Sequence, residues 1–333
     1  MLQRCLQVSR NTRAHASGTP QEDVSSILSR RLLFVVGKGG TGKTSVAAAL
    51  ALVASRQGRR VLLIDVDTKG DTARAFGATP GGFAPKVVHP QIQVLALQPE
   101  AALQEYLSVY FKVPRFTRFT PLAKVFDFVA TSVPGPRDML VIGKIAYEEH
   151  RVDRKGRPIW DLIIVDAAAT GHALPQLAAA RSMLALIGGG VIKSHVGWIN
   201  ETLSDTGRTA LVVTATPEEM AITEAVELIE RASDETGVNV CGAILNRVVA
   251  ETMSKEDLAR VGRSAGPAVD PDGWKRLCSG LPFVVELARE GALHAASFAA
   301  RVAVPIIPLP LLMDARPGLS VTRALAAQLG SGS

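Results

Sequence analysis

The chain has 333 residues, 47% of them hydrophobic and 20% charged, with 37 Lys and Arg against 31 Asp and Glu for a formal net charge of +6. That length and apolar content suit one large globular domain or two small ones and exclude a disordered chain. No block of about five or six basic residues marks a nucleic-acid face, and no apolar run of roughly 18 or more residues marks a membrane span.

Three scattered cysteines without C-x-x-C spacing offer neither a disulfide framework nor a zinc site, and a cytoplasmic setting is expected. Residues 1–30 read as a flexible tail. The first 20 residues contain three Arg, two Ser and no acid, and they lack the apolar core of a secretory signal. Residues 31–333 read as one α/β domain. "RLLFVVG" (31–37) is a short aliphatic run ending in glycine, which predicts a buried strand. The Ala- and Leu-rich stretch 44–56 predicts the following helix, and "RRVLLIDVD" (59–67) predicts a second buried strand. Strand, helix, strand in that order is a βαβ unit and implies a mostly parallel sheet.

Further strands are predicted at 92–97, 160–166, 209–215, 238–245 and 302–310, with helical patterns between them. The clearest helix is 217–235, which opens with Pro217 and an acidic first turn. The interval 99–150 breaks the alternation. Leu103, Tyr106, Leu107, Tyr110 and Phe111, then Leu122, Val125, Phe126 and Val129, repeat at helical spacing and predict a helical insertion. "EEHRVDRKGRP" (148–158) reads as a charged turn leading back to the sheet.

Within "FVVGKGGTGKTSVAAAL", Gly37, Gly42, Lys43 and Thr44 satisfy G-x-x-x-x-G-K-[ST] between a predicted strand and a predicted helix. Residues Gly37, Lys38, Gly39, Gly40, Thr41, Gly42, Lys43, Thr44 and Ser45 are therefore candidates to cradle phosphates with backbone N–H groups and a helix N-terminus. Lys43 would reach the β- and γ-phosphates of ATP, and the Thr44 hydroxyl would ligate Mg²⁺. A carboxylate ending another strand should complete the metal side. Asp166, after the aliphatic run 162–165, fills that place. Together these features predict a P-loop NTPase with helices on both sides of the sheet.

The loop "KGGTGKT" carries a second lysine, Lys38, and resembles the deviant Walker A signature of SIMIBI-class dimeric ATPases. "DAAATGH" (166–172) resembles the switch of the anion-transporting ATPase family, which contains the arsenite-pump and tail-anchored-protein targeting ATPases. "TATPEEMAITEAVELI" and "AILNRV" are similar to segments of that family as well. The resemblance implies a homodimer or a heterodimer with a related ATPase subunit, in which Lys38 crosses to the partner's phosphates. It also implies that Asn246 contacts the adenine, that Gly171 offers a backbone N–H near the γ-phosphate, and that a protein client is bound and released. The family's water-orienting aspartate lies nine residues before a phenylalanine, and counting back from Phe76 gives Asp67. Asp71 and Asp65 are the alternatives, the latter within the strand or on Mg²⁺-bound water.

The chain departs from the family pattern at Thr68-Lys69-Gly70, and at Ala167 and Ala169, where a threonine and a proline are lost. A partition or cell-division-positioning ATPase acting on DNA or a membrane surface is the alternative. "GLSVTRALAAQLGSGS", with Leu319, Leu325 and Leu329 on one face, is its candidate membrane helix. A non-hydrolysing nucleotide-dependent scaffold is the third reading.

Overall fold

The computed structural model describes residues 20–67, 69–110, 136–168, 170–249, 256, 271–313 and 315–330. Eight strands form one sheet in the order β3-β4-β2-β5-β1-β6-β7-β8. They are β1 (Leu32–Val36), β2 (Val61–Asp65), β3 (Lys86–His89), β4 (Ile92–Ala96), β5 (Leu162–Asp166), β6 (Thr209–Ala215), β7 (Val240–Val248) and β8 (Ile306–Pro310). All neighbours pair in parallel except β3 with β4.

The central strands are unbroken aliphatic runs because both faces of the sheet are covered. Alternation along each strand feeds two cores. Leu32, Phe34, Val36, Leu62, Ile64, Ile163 and Val165 face one core. Leu33, Val35, Val61, Leu63, Leu162 and Ile164 face the other. The first core is closed by α5 (Pro136–His150), α6 (Thr170–Leu186), α7 (Val191–Ser204), α8 (Glu219–Thr236) and the end of α9 (Pro271–Arg301). The second is closed by α1 (Pro20–Leu28), α2 (Lys43–Arg56) and α10 (Leu319–Gly330). The short α3 (Asp71–Arg74) and α4 (Pro99–Tyr110) complete the helices used below.

Helix α2 is buried continuously from Val46 to Ser55. Its alanines let it lie between the sheet and α10 without large side chains holding the layers apart. On α10, Leu325 and Leu329 are each 2% exposed and face that core. Burying each contributes about 1.5–3 kcal/mol. The apolar face offered above as a membrane helix is thus spent inside the protein.

Three sequence expectations need correction. Residues 20–28 belong to a helix, not to a tail, and Val24, Ile27 and Leu28 on that helix are buried. The charged turn begins later than expected, because α5 runs through His150 and buries Glu148 and Glu149. Helices do occupy both ends of 99–150, but Val141, Ile142, Ile145 and Ala146 of α5 pack into the sheet core as an integral layer. The expected apolar positions Phe111, Leu122, Val125, Phe126 and Val129 lie outside the described residues. The antiparallel strand β3 was not expected at all. Its sequence, Lys86-Val-Val-His89, is too short and too exposed to signal a strand.

Among the described residues no helix is long and apolar enough to cross a membrane.

Candidate phosphate-binding site

β2, β5 and β1 lie side by side, and the site forms at their carboxyl ends, where open α/β sheets present ligand-binding crevices. β1 ends at Val36, and the chain turns through residues 37–42 into the first turn of α2 at Lys43. Two glycines make this turn possible. A Cβ on Gly37 would lie 2.1 Å from the Thr214 carbonyl oxygen of β6. Gly42 has φ +91°, and a Cβ there would lie 2.3 Å from Asn246 Nδ2.

The loop is tied from inside and from β7. The Thr41 hydroxyl donates to the Lys38 carbonyl at 2.9 Å, and Lys43 Nζ donates to the same oxygen at 3.4 Å. Asn246 Nδ2, buried at the end of β7, donates to the Thr41 carbonyl at 2.9 Å. Arg247 follows with φ +62°, a sparsely populated region for a non-glycine residue that tends to mark functional sites.

Asp166 lies beside Thr44 at the end of β5. Its Oδ2 accepts the Thr44 hydroxyl at 2.6 Å, while its Oδ1 is buried without a hydrogen-bond partner. Burial pushes the Asp166 carboxyl up to about 7. The negative charges of Asp65 and Asp67 add to that rise, while the Thr44 hydrogen bond and Lys43 oppose it. Burial likewise lowers the Lys43 pKa, against the pull of Asp166 and Asp67. A hydroxyl and a carboxylate with an unmet buried oxygen fit Mg²⁺, which takes one or two protein oxygens and fills its shell with water and phosphate. No cluster of three His, Cys, Asp or Glu side chains able to hold a metal occurs among the described residues.

The three candidate aspartates separate clearly. Asp65 is buried and faces Asp166 in the strand register. Asp71 opens α3 and pairs with Arg74 on the exposed side. Asp67 is half-exposed, lies 3.6 Å from Lys69 Nζ, and acts electrostatically on both Lys43 and Asp166. Gly39 and Gly40 are exposed in the loop, Ser45 is half-buried in the first turn of α2, and Gly171 is exposed at the start of α6. The structure therefore gathers Gly37 to Ser45, Asp67, Asp166 and Asn246 around one loop.

Lys38 goes elsewhere. Its Nζ lies 2.7 Å from Glu224 Oε1 on α8, with both side chains about a third exposed. Sequence reading missed Glu224, Thr214 and the Asp65 partner Thr72. A glutamate about a third exposed on an amphipathic helix and a threonine inside a strand carry no local mark of a site.

A profile of the anion-transporting ATPase family matches residues 30–189, which include the loop, Asp67 and Asp166. The chain is 31% identical to the ATPase BagA of Mycobacterium tuberculosis over 247 residues, 73% of this chain and 71% of that protein. It is 28% identical to the arsenical pump-driving ATPase of Escherichia coli over 246 residues, 68% of this chain and 40% of that protein. To the ATPase get3 of Schizosaccharomyces japonicus it is 28% identical over 154 residues, 46% of this chain and 45% of that protein. With its loop, its strand-end carboxylates and these relatives taken together, the chain belongs to the anion-transporting ATPase family.

Proposed function

We propose that the protein is a Mg²⁺-dependent ATP hydrolase that closes as a nucleotide-gated dimer and binds and releases a protein client. The observation that carries the enzymatic reading is the Thr44–Asp166 pair beside Lys43, with one Asp166 oxygen buried and unmet. Backbone N–H groups of residues 39–45 receive the phosphates, and Lys43 leaves the Lys38 carbonyl to face the β- and γ-phosphates. Thr44 and Asp166 hold the ion, which neutralises phosphate charge. Asp67 orients the attacking water. Asn246 remains bound to the loop through Nδ2 and turns its amide oxygen to the base.

Lys38 serves the partner's phosphates in this reading, and its pairing with Glu224 is the arrangement of the single subunit. Exposed Phe283, Val284 and Leu287 on α9 support the client, because they supply apolar surface of the kind a protein segment covers. The burial of Leu325 and Leu329 removes the candidate membrane helix of the partition-type alternative.

Mixing subunits tests the dimer. Lys38→Ala and Asp67→Asn subunits are each expected to be nearly inactive alone. In a mixed dimer one site receives both defects and the other receives neither. Mixing should restore up to about half the activity per mixed dimer if the sites act independently. Absence of recovery, with mixed dimers verified by native mass spectrometry, would mean that Lys38 acts in its own subunit or that the two sites fire only together.

A further inference from the structure

The stretch that links β2 to α3 carries Asp67 and contains no proline, so no ring fixes its backbone angles. Its near end is held by the sheet. Leu97 N–H donates to the Asp65 carbonyl at 2.8 Å, and Val66 N–H donates to the Asp166 carbonyl at 3.4 Å. Its far end is held by a side chain. Asp65 Oδ2 accepts both the Gly70 N–H and the Thr72 hydroxyl, each at 3.1 Å. Asp65 is 2% exposed and Thr72 is fully buried, so water does not compete for these bonds.

One carboxylate oxygen at the end of β2 thus reaches forward to residues 70 and 72. The chain is therefore held on both sides of Asp67, at Val66 and at Gly70. Bonds to an ionised acceptor are roughly twice as strong as neutral ones, which suits a clamp next to the exposed Asp67 and Lys69. The choice of residue is otherwise unfavourable. Asp65 faces Asp166 in register, and its charge opposes ionisation of that neighbour. A position that merely ended a strand would be served by an uncharged side chain.

We propose that Asp65 is the positioning residue for Asp67. Its carboxylate holds the chain beyond Asp67, at Gly70 and Thr72, so that Asp67 stays close to Lys43 and Asp166 and does not swing outward with Lys69. The inference rests on the reading of Asp67 as the water-orienting group. Displacement of such a group by about 1 Å lowers turnover by up to about a hundredfold without loosening substrate.

Steady-state hydrolysis and calorimetric Mg·ATP binding on the full chain test it. Asp65→Ala should lower kcat at least about thirtyfold while the nucleotide Kd moves less than about threefold. Asp65→Asn keeps an acceptor oxygen and should retain at least about a third of kcat. Thr72→Val leaves Asp65 intact, removes one of the two donors, and should lower kcat about three- to fivefold. Equal losses of affinity and turnover in Asp65→Ala would overturn the proposal, as would Asp65→Asn being as inactive as Asp65→Ala. If the wild-type protein hydrolyses no ATP, the enzymatic reading fails separately. The clamp is then judged by hydrogen exchange at the Gly70 amide, about tenfold faster in Asp65→Ala if the clamp exists and unchanged if it does not.

Discussion

The two edges of the sheet both bury carboxylates, and they treat them in opposite ways. At the amino-terminal edge Glu149 meets Arg31 at 2.9 Å, His150 at 2.8 Å and Arg208 at 3.3 Å, which brings the entries of β1 and β6 onto the end of α5. Glu148 accepts from Arg151 at 2.8 Å and from Trp160 Nε1 at 3.1 Å. Its other oxygen lies 2.8 Å from Lys144 Nζ, an ion pair without hydrogen-bond alignment. At the carboxyl edge Asp166 sits beside Asp65 with an unmet oxygen. Burial raises the Glu148 pKa, but Lys144, Arg151 and Trp160 outweigh it and hold the group below its ordinary range. Asp166 is pushed up to about 7. One edge neutralises its charge internally and serves stability. The other leaves a carboxylate oxygen unmatched within the protein.

The comparison breaks most visibly at the stabilising edge. Glu148→Gln removes one of the two carboxylates around Lys144, which is 7% exposed and keeps Glu105 at 2.6 Å, and leaves Arg151 and Trp160 facing a neutral group. Chemical denaturation at pH 7 should show a loss on the order of 3 kcal/mol, with Mg·ATP affinity of the folded protein unchanged. Because the folded-state pKa is depressed, the loss should be complete above the unfolded carboxylate value of about 4.3 and shrink at lower pH. A change in nucleotide affinity without a change in stability would reverse the roles given to the two edges.

The next effect belongs to the ligand edge. Lys43→Ala removes the ammonium proposed to face the phosphates and should weaken Mg·ATP binding at least about a hundredfold in calorimetry, near 2.7 kcal/mol. Stability without nucleotide should change little, since the hydrogen bond of Lys43 to its own loop is long, 3.4 Å, and burial opposes its charge. Wild-type-like affinity would remove the phosphate role from this loop.

The smallest effect sharpens the contrast by its sign. In chelator-treated, nucleotide-free protein, Asp166→Asn removes a carboxylate whose burial opposes ionisation. The variant should be more stable than wild type by about 2 kcal/mol above pH 7. A raised folded-state pKa keeps its stability at low pH and loses it as pH rises, so this gain should fade between about pH 7 and pH 4. Excess Mg²⁺ with nucleotide should reverse the order by stabilising the wild type alone. A variant less stable than wild type at pH 8 without ligand would show that the Thr44 bond outweighs the desolvation of Asp166.

The sequence made one of these edges readable and hid the other. Strands such as Leu32–Val36 and Leu162–Asp166 are aliphatic runs that burial on both faces requires. The loop glycines, Lys43 and Thr44 announce themselves by spacing because phosphate geometry demands it. Glu148 and Glu149 looked like the start of a solvated turn. Their partners Arg31, Trp160 and Arg208 lie on other elements, and no local pattern forecasts that convergence. Helix α1 was hidden for a related reason. Val24, Ile27 and Leu28 have helical spacing, but the core they fill is made by α2 and α10, far along the chain. Asp65 was visible as a carboxylate, while its bonds to Gly70 and Thr72 appear only once the chain has turned back.

The Lys38–Glu224 pair has a consequence for the energetics of association. In the proposed dimer the ammonium exchanges one oxyanion for another, starting from a pair whose side chains are already only about a third exposed. The dehydration barrier that usually slows burial of a lysine is partly overcome before the subunits meet. Both states carry an ion pair, so screening by salt weakens reactant and product together. Closure should therefore be less sensitive to ionic strength than the charge at the interface implies, and nucleotide rather than salt concentration would govern it.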